Sequence, residues 1–117
     1  MVELREYLTA AHRSPYAEWF RRIDVAAAAK VVIALSRLEA GNTSNVKAVG
    51  DGVNELKIHF GPGYRIYFGW DGPEVVVLLA GGTKGRQDAD IARARTYWSD
   101  FKARKAEARK RAAKQCH

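Results

Sequence analysis

Between Asn54 and Thr83, apolar and polar positions alternate in a way that predicts three strands joined by two tight turns. Leu56, Ile58 and Phe60 alternate with Lys57 and His59. Tyr64, Ile66, Phe68 and Trp70 alternate with Arg65, Tyr67 and Gly69. Successive side chains of a strand point to opposite faces. Each of these strands therefore has one apolar edge, while Lys57, His59, Arg65 and Tyr67 gather on the other face, where no acid is expected within the strand interiors. Val75 to Ala80 has no polar position, which predicts a central strand covered on both faces. Gly61-Pro62-Gly63 and Asp71-Gly72-Pro73 mark the turns.

The same reading extends outward. Val2 to Leu8 predicts a first strand that Glu6 shortens or places at an edge. Ser14-Pro15 is a helix start, with Ser as N-cap and Pro at the first helical position. Tyr16, Trp19, Phe20 and Ile23 then recur at helical spacing. Asp24 opens a second helix with an expected inward stripe of Val25, Ala28, Ala29, Val32 and Leu35, stopped by Gly41. Asn42 to Asp51 is polar and turn-rich and reads as a loop. Gln87 or Asp88 opens a last helix whose inward stripe is Ile91, Ala94, Trp98 and Phe101. The expected order is strand, helix, helix, strand, strand, strand, helix. This is a small α+β fold with a mostly antiparallel sheet, helices on one face and the basic face open. The first strand is expected beside the wholly apolar one.

Charge refines the division of the chain. The net charge is +7, but residues 101–117 hold seven Lys or Arg against Glu107 alone. Residues 1–100 hold thirteen basic and twelve acidic residues and are nearly neutral. Residues 1–102 thus read as one domain and 103–117 as a basic, frayed helical tail, because nothing apolar anchors it. A basic tail can grip phosphates but is also a common solubilising device. No apolar stretch reaches the roughly 20 residues of a membrane span, and a cytoplasmic protein is expected. Cys116, the single cysteine, has no partner for an internal disulfide.

The candidate chemistry lies on the basic face. Lys57, His59, Arg65 and Tyr67, bordered by Lys84 and Arg86, suit an anionic ligand with several phosphates. They also suit phosphodiester cleavage without metal. A base takes the ribose 2′-hydroxyl proton, cations stabilise the phosphorane charge, and an acid protonates the leaving 5′ oxygen. Histidine ordinarily titrates near neutrality, which makes His59 an acid–base candidate. Arg65 is the candidate charge stabiliser, Lys57 a second candidate base, and Tyr67 a base-stacking residue. Exposed strand faces are normally polar, so these residues alone do not define a site. Gly61-x-Gly63 lacks the third glycine of a dinucleotide fingerprint, and Gly81-Gly82-Thr83-Lys84 lacks phosphate-loop spacing. His12, His59 and His117 are scattered, and no metal or other cofactor is expected.

The segments ELKIHFGPGYRIYF, VVVLLAGGTK and QDADIARARTYW resemble the RelE/ParE superfamily of bacterial toxins. Within it they are most similar to the HigB-like branch of phage-derived addiction-module killer proteins. The resemblance covers roughly residues 2–102. It implies the toxin of a type II toxin–antitoxin system, acting as a ribosome-dependent, metal-independent mRNA endoribonuclease. The partners it implies are the ribosome, mRNA and a cognate helix-turn-helix antitoxin. The alternative within the superfamily is a non-enzymatic, ParE-like inhibitor of DNA gyrase. By position, the GYR arginine is Arg65, Lys57 matches the basic residue of the preceding strand, and Lys84 matches the one after the last strand. The C-terminal catalytic tyrosine or histidine of some members has no clear counterpart here.

Overall fold

The computed structural model describes residues 1–115, so Cys116 and His117 lie outside the described residues. The elements are β1 (Glu3–Glu6), α1 (Pro15–Arg22), α2 (Val25–Glu39), β2 (Val46–Gly50), β3 (Val53–Ile58), β4 (Tyr64–Trp70), β5 (Val75–Thr83) and α3 (Gln87–Gln115). They form one five-stranded sheet in the order β1-β5-β4-β3-β2. β1 runs parallel to β5, as expected of neighbours, and the other pairs are antiparallel. The fold is α+β with a mostly antiparallel sheet, compatible with the RelE-like fold.

The helix ends follow their local chemistry. Ser14 Oγ accepts a hydrogen bond from the Ala17 amide, and the Asp24 carboxylate accepts one from the Ala26 amide. At the end of α2, the Gly41 and Asn42 amides donate to the Leu38 and Arg37 carbonyls, each at 2.9 Å, with Gly41 at φ +92°. This is a Schellman stop.

Asn42 to Asp51 is not all loop. Val46–Gly50 forms an edge strand paired to β3, and Asp51-Gly52 makes the hairpin turn, with φ of +55° and +83°. An edge strand has one solvated side and carries few large apolar residues, so VKAVG gives little alternation to read. The Asp-Gly pair was the signal.

The helices do not lie on one face. Ile58, Ile66, Phe68, Val76 and Leu78 pack against Tyr16, Trp19, Val31, Leu35 and Leu38 from α1 and α2. On the opposite face, Val53, Tyr67, Val77 and Leu79 pack against Ala94 and Trp98 of α3. A strand as apolar as β5 needs cover on both faces, and α3 supplies the second layer. Each fully buried side chain such as Phe68 or Ile66 contributes about 1.5–3 kcal/mol.

α2 buries Ala27, Val31, Leu35 and Leu38, whereas Val25 and Val32 of the expected stripe are exposed. VAAAAKVVIAL is apolar almost all round, so its periodicity leaves the rotation of the helix open and packing against β3 settles it. The inward stripe of α3 is as expected, with Ala94 and Trp98 buried and Ile91 and Phe101 packed beside them.

β5 ends in two glycines squeezed from both sides. A β-carbon on Gly81 would collide with the Trp19 ring, and one on Gly82 would collide with the Asp90 carboxylate. The Gly-Gly pair thus lets α1 and α3 approach the same strand end from opposite faces.

α3 continues as helix to Gln115, through the segment expected to form a basic helical tail. Arg104 bonds Asp100 and the Leu8 carbonyl and lies over the Tyr7 ring, and Lys105 pairs with Asp71. These contacts tie the helix to the body as far as Lys105.

Candidate functional site

At the Tyr64 end of the β3–β4 hairpin, an open groove of about 400 Å³ is lined by Lys57, His59, Gly63, Tyr64, Arg65 and Lys84, among others. Backbone pairing brings these residues together. Lys57 lies directly across from Arg65, and Arg65 lies across from Gly82 on β5. The Lys84 amide donates to the Gly63 carbonyl at 3.1 Å. His59 follows β3 and is exposed at the rim. Gly63 has φ +86°, a glycine conformation, and a β-carbon there would stand 3.6 Å from Lys84 Cβ and 4.0 Å from Arg65 Nη1. The Gly-Pro-Gly turn thus places the backbone close to both cations.

Arg65, Lys57 and His59, expected to carry the chemistry, and Lys84, expected to bind RNA, meet in this groove. Two other expectations need correction. Tyr67 is fully buried beneath α3, so it cannot stack on a base at the surface. Burial pushes its hydroxyl up to about 12, reinforced by Glu55 and Asp90 and opposed by Arg65. Arg86 is exposed at the start of α3, beside Gln87 and Asp88, and does not line the groove.

An acid does lie on this face. Glu55 is two residues before Lys57, 2 % exposed, and forms an ion pair with Arg65, itself 7 % exposed. Gln87 approaches the same carboxylate oxygen at 3.5 Å. The strand begins at Val53, so Glu55 shares the parity of Lys57. That was legible in NELKI once the strand is extended back by one pleat. Directly opposed like charges such as Lys57 and Arg65 destabilise a sheet. Glu55 compensates one of them and orients its guanidinium, while among the described residues Lys57 and Lys84 are in no ion pair. Among the described residues, no group of His, Cys, Asp or Glu has metal-site geometry.

The arrangement is a small RelE-like α+β domain presenting a cationic groove at a hairpin end. The family described as "Phage derived protein Gp49-like (DUF891)" matches residues 18–111, and the chain belongs to it. This is a family of toxin-like proteins related to RelE- and HigB-type toxins. The match includes much of the basic end of α3. A protein from Haemophilus influenzae (strain ATCC 51907 / DSM 11121 / KW20 / Rd), described as "Uncharacterized protein", is 40% identical over 78 residues, covering 66% of this chain and 79% of that protein. No helix among the described residues is long and apolar enough to cross a membrane.

Proposed function

We propose that this protein is the toxin of a type II toxin–antitoxin pair of the HigB-like kind. It acts in the cytoplasm as a ribosome-dependent mRNA endoribonuclease and is neutralised by a helix-turn-helix antitoxin. The observation that carries this reading is the groove in which Lys57, His59, Arg65 and Lys84 converge with no acid on its lining. Arg65, held by Glu55, and Lys84 bind the scissile phosphate and stabilise the charge that grows on its oxygens. His59 or Lys57 takes the 2′-hydroxyl proton. The 2′ oxygen attacks phosphorus, the bond to the 5′ oxygen breaks, and a protonated side chain at the rim returns a proton to that oxygen. The cations carry the transition-state charge, so the scheme has no step that calls for a metal.

The test is primer extension on a defined reporter mRNA after brief induction, comparing wild type with K57A/K84A. Both lysines lie outside the ion pair that buries Arg65, so the variant keeps the fold. Cuts within translated codons that vanish in the variant are the expected result. Arrest without cuts in wild type, accompanied by stabilised cleaved DNA, would replace this reading with gyrase inhibition.

A further inference from the structure

A second groove, of about 340 Å³, adjoins the first and shares the wall of Lys57, Ile58 and His59. Its other side is α2, which contributes Lys30, Ile33, Ala34 and Arg37, while Asn45 closes it from the loop before β2. Lys30 to Arg37 is spaced i, i+3, i+4, i+7, one face of a helix. Lys30 Nζ lies 5.6 Å over the ring of Phe60, which lines the first groove. The two compartments therefore adjoin at the end of β3, with Lys57, Ile58 and His59 between them.

The lining chemistry is one-sided. Lys30 and Arg37 are exposed, and among the described residues neither is in an ion pair. No acid lines either compartment. Between the two α2 cations lies Ile33, 46% exposed and so an apolar surface open to a ligand. Cations at intervals along two adjoining grooves, with apolar surface and a neutral amide between them, match a single-stranded nucleic acid. Its phosphates repeat along the backbone, and its bases have both an apolar face and a polar edge. An acidic peptide would satisfy the cations but leave that apolar surface unused.

We infer that the α2 groove is a second RNA subsite, in which Lys30 and Arg37 take the backbone phosphates of the strand continuing past the Arg65–Lys84 groove, with a base against Ile33. This rests on the reading of the first groove as an RNA site. The α2 residues touch no reacting atom in it. They set how long a strand is held and in which register it enters.

The experiment measures binding of labelled 2′-O-methyl RNA, which lacks the attacking hydroxyl, to the full chain by fluorescence anisotropy over a range of salt. A trimer is compared with a strand of about eight nucleotides, in wild type, K30E/R37E and K110E/R111E. The last makes the same charge change on the far part of α3. K30E/R37E should weaken the longer strand by about tenfold or more, leave the trimer within about twofold, and lower the salt slope by about 1.4, two single-strand phosphate contacts. Equal losses in K30E/R37E and K110E/R111E, or equal losses for the two lengths, would overturn the subsite. So would unchanged RNA binding in K30E/R37E with lost binding of poly-L-glutamate, which would assign the groove to an acidic protein segment. Weakened binding of the longer strand without mRNA cuts in cells would sustain the subsite and sink the nuclease reading. Cuts abolished in K57A/K84A with RNA binding unchanged in K30E/R37E would do the reverse.

Discussion

The groove at the hairpin end gathers its cations from separate segments, whereas the far end of α3 draws them from one contiguous run. Lys57, Arg65 and Lys84 converge because three strands are in register and Gly63 turns sharply. One of them is buried against Glu55, so its position is determined to the level of a single ion pair. Beyond Lys105, by contrast, Arg109, Lys110, Arg111 and Lys114 are exposed around the helix, and Ala106 and Arg109 border a cleft beside Trp70. In the proposed function, the first arrangement specifies where a phosphate sits. The second raises the local concentration of polyanions with little positional information. Residues 101–117 together carry +6 of the net charge of +7, whereas the candidate chemistry is in the first region.

The largest effect that separates the two regions should come from Arg65. R65A leaves Glu55 buried without its partner, and removing one partner of a buried pair costs about 3–5 kcal/mol. Urea denaturation should show this loss, and E55Q/R65Q should recover much of it. A neutral result for R65A would mean the pair is not buried in solution. Loss of toxicity in R65A thus mixes folding with chemistry, and R65K is the better functional probe at that position. Next comes K57A/K84A, expected to lower cleavage about a hundredfold or more while shifting the denaturation midpoint little. If cleavage tracks stability across these variants, the groove is structural only.

Alkaline pH tests the buried side of the same face. The Tyr67 hydroxyl is raised to about 12 in the folded protein, against about 10 for an unperturbed tyrosine. A raised folded-state value means its stabilisation is complete below about pH 10 and is lost as pH rises towards 12. The loss is on the order of 2 kcal/mol. Tyr7 and Tyr16 are also raised to about 12, chiefly by burial, and act in the same window. Denaturation midpoints measured from pH 9 to 12 should fall steadily, and Y67F should flatten the curve. An identical slope in Y67F would show that the hydroxyl reaches solvent.

The smallest effect belongs to the extension. Deleting residues 106–117 keeps Arg104 and Lys105 and their ties to Leu8, Asp100 and Asp71. It should weaken RNA binding a few-fold at low salt, reduce the salt slope and leave the cleavage pattern unchanged. Full loss of cleavage would show that the far end of α3 takes part in the chemistry.

Local patterns in the chain determined a good deal by themselves. Ser14-Pro15 and Asp24 specified two helix starts, Gly41 one stop, and alternation with Gly-Pro-Gly the central hairpin, because caps, turns and pleats are short-range matters of hydrogen bonding and sterics. The convergence of Lys57, His59 and Arg65 was legible for the same reason, since it needs only strand parity and one turn. Three things were decided by packing between distant segments. α3 covers the second face and turns Tyr67 from a surface residue into core. Glu55 is drawn under Gln87 and onto Arg65. α2 rotates so that Val31, Leu35 and Leu38, rather than Val25 and Val32, meet the sheet. In each case local periodicity permits more than one answer. Only the competition for buried apolar area and for a partner to each buried charge selects among them.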